Sequence, residues 1–92
     1  MKTGDKLYFL EEKRPYSIRA LGKRYAVCTK PFNPKSTVLY TIVDFEKQIR
    51  GTENLIFCLG TETDERCEKM LQRLENGETE ISCRNYIDLN IV

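Results

Sequence analysis

The sequence predicts an α+β fold: a mainly antiparallel, curled sheet or small open, SH3-like barrel of about six short strands, with one amphipathic helix. Three observations lead there. The first half alternates apolar and polar residues with a period of two, as half-buried strands do. A single stretch, residues 64–76, carries apolar residues at helical spacing. One helix is too few for the crossovers of a parallel βαβ sheet. The chain of 92 residues, 40% hydrophobic against 32% charged, has the composition of one soluble globular domain spanning residues 1–92.

Leu7 and Phe9 fall on one face of a short first strand. In the next, Tyr16, Ile18 and Ala20 point one way and Ser17 and Arg19 the other. Leu21-Gly22-Lys23 reads as a tight turn in which Gly22 takes a positive φ, and residues 24–30 return as a strand. Residues 30–36 (Lys-Pro-Phe-Asn-Pro-Lys-Ser) read as a stiff loop, because each proline removes a ladder donor and restricts the residue before it. Residues 37–43, apolar or β-branched on both faces, suit a central strand. Residues 44–54 fit either a helical turn, with Phe45 and Ile49 four apart, or a long hairpin connection. Residues 55–59 read as a buried strand ended by Gly60.

The helix is the best-marked element. Thr63 can cap it, Asp64 and Glu65 place anions in its first turn, and Gly77 suits the position past its end. Cys67, Met70, Leu71 and Leu74 form its apolar stripe, while Glu62–Arg66 and Glu65–Lys69 pair along the outer face. Residues 81–83 and 86–92 read as closing strands, the last with Ile87, Leu89 and Ile91 inward.

Composition narrows the chemistry. The chain has no histidine, which removes imidazole acid–base catalysis, Ser-His and Cys-His nucleophile pairs and every His-containing metal site. Its four cysteines, Cys28, Cys58, Cys67 and Cys83, lack the close pairing of zinc ligands and read as core residues of a reduced, cytoplasmic protein. No apolar h-region or membrane-length run is present in the sequence. Neither Glu11-Glu12 nor Asp44/Glu46 lies in a catalytic or Mg²⁺-binding motif. The expectation is a non-enzymatic protein with no catalytic residues, cofactor, metal or membrane partner.

The net charge of +1 conceals a strong asymmetry: residues 1–50 sum to +6 and residues 51–92 to −5. Between Lys13 and Val43 stand seven basic residues and no acidic one, interleaved with Tyr16, Tyr25, Phe32 and Tyr40. Cations neutralise phosphates and aromatic faces stack on bases, so this mixture suits a phosphate-bearing partner. The competing reading puts the tyrosines in the core and the cations on an ordinary solvated face. The expected ligand-binding set is Arg14, Arg19, Arg24, Lys30, Phe32, Asn33, Lys35 and Arg84, the last from an Arg-Asn pair before the final strand. The acidic helix face is either solvated surface or a second contact surface. Opposite charges on separate faces would also let copies associate, so a homo-oligomer is expected.

Residues 11–16 (Glu-Glu-Lys-Arg-Pro-Tyr), 24–33 (Arg-Tyr-Ala-Val-Cys-Thr-Lys-Pro-Phe-Asn) and 37–44 (Thr-Val-Leu-Tyr-Thr-Ile-Val-Asp) carry a resemblance. With Arg50-Gly51, Asn54, Gly77-Glu78 and Arg84-Asn85, the chain resembles a family of small uncharacterised proteins carried on bacterial phages, plasmids and other mobile elements. The resemblance implies a setting, not a catalytic residue: small proteins on such elements frequently counter host defences. The leading expectation is an anti-defence protein that sequesters a phosphate-bearing small molecule, a nucleotide immune signal. The alternatives are a protein–protein inhibitor of a host defence nuclease, of the anti-CRISPR type, and a small nucleic-acid-binding module.

Overall fold

The computed structural model describes residues 1–9, 13–32, 37–52, 58–59 and 64–85; at 32, 37–38, 58–59 and 83–85 only the backbone is described. In chain order the elements are β1 (Lys6–Leu7), β2 (Tyr16–Leu21), β3 (Tyr25–Phe32), β4 (Thr37–Asp44), β5 (Ile49–Thr52), β6 (Cys58–Leu59), α1 (Asp64–Glu75) and β7 (Cys83–Asn85). They form an α+β fold, one curled, open antiparallel sheet with one helix. The sheet runs β1-β2-β3-β4-β5-β7, and β6 sits beside β5 along the same edge of β4. Among the described residues seven strands are present, slightly more than expected, two of them only two residues long.

Both faces of the sheet are buried. On one, α1 lays Cys67, Leu71 and Leu74 against Ala20, Tyr25, Val27, Tyr40 and Ile42. On the other, the curl closes Leu7, Phe9, Tyr16 and Ile18 over Ala26, Cys28 and Val43. The continuous apolar character of residues 37–43 follows from this double burial, and β4 is central as expected. The helix begins at Asp64 and ends at Glu75, one residue short of the expected end. Gly77, at φ 76°, donates to the Leu74 carbonyl while Glu78 donates to Arg73, closing a Schellman motif.

Local differences from the sequence expectation have physical causes. The register shifts between Ile18, opposite Cys28, and Ala20, opposite Val27. This bulge at Arg19 turns Ala20 to the helix face, away from Tyr16 and Ile18. β3 continues through Pro31 to Phe32, opposite Thr37, so the expected loop begins after residue 32. β2 pairs only as far as Thr29, and beyond it β3 is an edge that tolerates a missing donor. After Asp44 there is neither a helical turn nor a long connection but a tight turn over residues 45–48, with Gln48 left-handed at φ 57°, leading into β5. Residues 81 and 82 precede β7 and are not strand, whereas Arg84 lies within it, opposite Gly51. The expected strand at 86–92 and the cap at Thr63 lie outside the described residues, as does most of 55–59. No described helix is long and apolar enough to cross a membrane.

Candidate functional site

The β2–β3 hairpin brings most of the basic run onto the sheet, and the structure sends its cations in different directions. Arg14 is exposed ahead of β2. Arg19, on the helix side of the sheet by alternation from Ile18, donates from Nε to Asp64 Oδ1 at 2.7 Å, with Nη1 3.4 Å from Thr29 Oγ1. Arg24 grips Asp44 with two bonds, Nε to Oδ1 at 3.0 Å and Nη2 to Oδ2 at 2.9 Å. Phe32 ends β3, and Asn33 and Lys35 lie outside the described residues. The backbone of Arg84 lies on β7, the last strand in the sheet order, opposite Gly51 of β5. Tyr16, Tyr25 and Tyr40 are all buried, so their rings are core aromatics rather than open stacking platforms.

Lys30 belongs to a different group. Register places it cross-strand from Tyr16, and its Nζ stands 4.6 Å from the centre of that ring. Arg50, from β5, reaches the same place from the other end of the curled sheet. Its Cζ lies 4.2 Å from the Phe9 ring centre and 6.0 Å from that of Tyr16. The two rings meet edge to face at 5.5 Å, and both are buried beneath the cations. Two partly exposed cations therefore both stand against the Tyr16 ring, which belongs to the core on the sheet face opposite α1.

Arg50 and Phe9 were missed by the sequence reading. The strand alternation of Ile49, Arg50 and Gly51 would have put Arg50 on the face opposite Ile49, but the stretch was too short to separate strand from turn.

A second arrangement occupies the helix face. Glu75, at the last turn of α1, accepts through Oε1 from the backbone N–H groups of Arg24 at 3.0 Å and Tyr25 at 3.1 Å. Gly22 does not take the expected positive φ; its missing Cβ instead leaves room for this carboxylate. Asp44 Oδ1 also accepts from the backbone of Glu46 at 3.0 Å and Lys47 at 3.1 Å, which shapes the turn after β4. Beside this network opens a cleft of about 530 Å³ between the end of α1, the β4–β5 turn and residues 77–81. Among the described residues of the expected ligand set, Arg24 alone lines it, in a two-bond contact with Asp44.

Cys28 and Cys67 are free and buried, and burial, with Cys67 nearby, pushes the Cys28 thiol up to about 12. Among the described residues no three Cys, Asp or Glu side chains stand together as a metal site would require. Compared with known protein families, curated proteins and solved structures, the chain has no significant match.

Proposed function

We propose that this is a non-enzymatic binding protein for a phosphate-bearing small molecule, with Lys30 and Arg50 as the two charges that receive the phosphate. The observation that carries the reading is that both stand over the Tyr16 ring, Arg50 also over Phe9. Both side chains end at the same buried ring, and each can donate a charge-assisted hydrogen bond to an anion bound there. The chain leaves Lys30 through Pro31 and Phe32 directly into residues 33–36, so Asn33 and Lys35 adjoin the same end of β3 in sequence.

Because the two rings are covered, recognition is of the phosphate more than of a base. A nucleotide signal fits this chemistry, and the resemblance to proteins of bacterial mobile elements suggests its sequestration as an anti-defence role. An inhibitor of a host defence nuclease is the second reading. It is favoured by the exposure of Glu65 and Glu68 on the outer face of α1.

Calorimetry with cyclic, mono- and diphosphate nucleotides tests the first reading, with the parent nucleosides as controls. Phosphorylated ligands are expected to bind, and to bind less as salt rises. Lys30→Ala and Arg50→Ala should each weaken binding about tenfold, the scale of one charge-assisted contact. Failure of every nucleotide to bind the folded protein, or equal binding of the nucleosides, overturns it.

A further inference from the structure

The cleft on the helix face shares no residue with the Lys30–Arg50 group and has the opposite electrostatic character. Tyr25, Ile49, Leu74 and Ile81 give it an apolar floor. The charged groups on its walls are Arg24, Asp44, Lys47, Glu75, Glu78 and Glu80. Arg24 and Asp44 neutralise each other through their two-bond contact, which leaves three carboxylates against Lys47 alone. Only Oε1 of Glu75 is engaged by the backbone of Arg24 and Tyr25, and Glu78 and Glu80 are exposed. The C-terminal, negative end of α1 opens into the same space through Leu74, Glu75 and Gly77.

We infer that this cleft receives a basic segment of a partner protein, with an arginine or lysine stem lying on Ile49, Leu74 and Ile81 and its charge among Glu75, Glu78 and Glu80. An anion would meet excess negative charge. An inorganic cation needs a tight oxygen cage, and the described residues supply none. A long cationic side chain has both required parts, a methylene stem for the floor and a charged head for the rim. The volume of about 530 Å³ exceeds one side chain and accommodates the neighbouring backbone as well. The inference goes beyond the phosphate reading, and because the two sites are separate, either can fail alone.

The probe is the blocked peptide acetyl-Gly-Arg-Gly-Arg-Gly-amide, titrated into the full chain by NMR, with its neutral citrulline counterpart as control. Saturable shifts are expected at the amides of residues 77–81 and the methyls of Ile49, Leu74 and Ile81. The double variant Glu78→Lys/Glu80→Lys should lose about tenfold or more in affinity, and Lys47→Glu should gain a few-fold. That gain is a readout no folding defect imitates. The inference is overturned if the peptide does not bind, if the citrulline peptide binds equally, if the charge reversals leave affinity unchanged, or if the shifts centre on Glu65 and Glu68.

Discussion

Asp44 shows how a single carboxylate can organise several segments. It is almost fully buried, and burial alone would push its carboxyl up. The Arg24 guanidinium and the N–H groups of Lys47 and Glu46 outweigh that effect and hold it below the usual carboxylate range. The hydrogen bond to Asp44 in turn raises the Arg24 guanidinium above its ordinary value. An unfolded aspartate takes up its proton near pH 3.9, at roughly the model-peptide value. The folded carboxyl does so at lower pH, so between the two the unfolded chain binds more protons. The stabilisation from Asp44 is therefore complete above about pH 4 and disappears as the pH falls through the folded value. Asp44→Asn should cost about 2 kcal/mol at pH 7 and flatten the acid limb of the stability profile. Urea unfolding at pH 7 and at pH 3 checks both, and an acid slope unchanged by the substitution would contradict the assignment.

At the level of elements, Gly22 and Glu75 join the β2–β3 hairpin to the end of α1. A Cβ at position 22 would collide with Glu75 Oε1, the far end of a flexible side chain. The side chain can swing away, so the cost of Gly22→Ala is the loss of the two N–H···carboxylate bonds rather than steric strain. That cost should be about 1–2 kcal/mol. In a Glu75→Ala background the same substitution should be nearly neutral, and a double-mutant cycle by thermal unfolding measures the difference. Additive effects would show that the two residues do not act together.

The elements around this junction were legible from local pattern. Period two marked β2, the turn at Gly22 marked the return of β3, the continuous apolar and β-branched run marked β4, and the Cys67, Leu71 and Leu74 stripe with Gly77 marked α1 to within a residue at its end. The bulge at Arg19 left no local trace, because an extra strand residue differs from its neighbours only in what lies opposite it. Strand β5, with its central glycine and only four residues, was too short for alternation to separate it from a turn. The candidate site was harder still to read. Arg19 is engaged by a carboxylate 45 positions away and Arg24 by one 20 positions away. Composition reports that cations are plentiful but not which of them folding will neutralise.

Over the whole molecule, the basic first half and acidic second half read as a dipole in sequence, but part of that asymmetry is matched inside the fold. The helix lies across the basic hairpin with Asp64 at its start on Arg19 and Glu75 at its end on the backbone of Arg24 and Tyr25. Opposite charge thus helps to set the placement of α1, while Leu71 and Leu74 supply its apolar contact. Asp64 is largely exposed, so its pairing with Arg19 is worth only about 0.5 kcal/mol after screening. Urea unfolding of charge-exchanged variants at low and high salt isolates this small pairwise contribution from total stability. Arg19→Glu and Asp64→Arg should each destabilise slightly, and the exchanged double variant should recover most of the loss in 50 mM salt but less of it in 1 M salt. Recovery that does not depend on salt would assign the effect to side-chain packing. No recovery at all would mean that the start of the helix is placed by its apolar stripe alone, and that the charge asymmetry serves only the exposed surfaces where the two proposed sites lie.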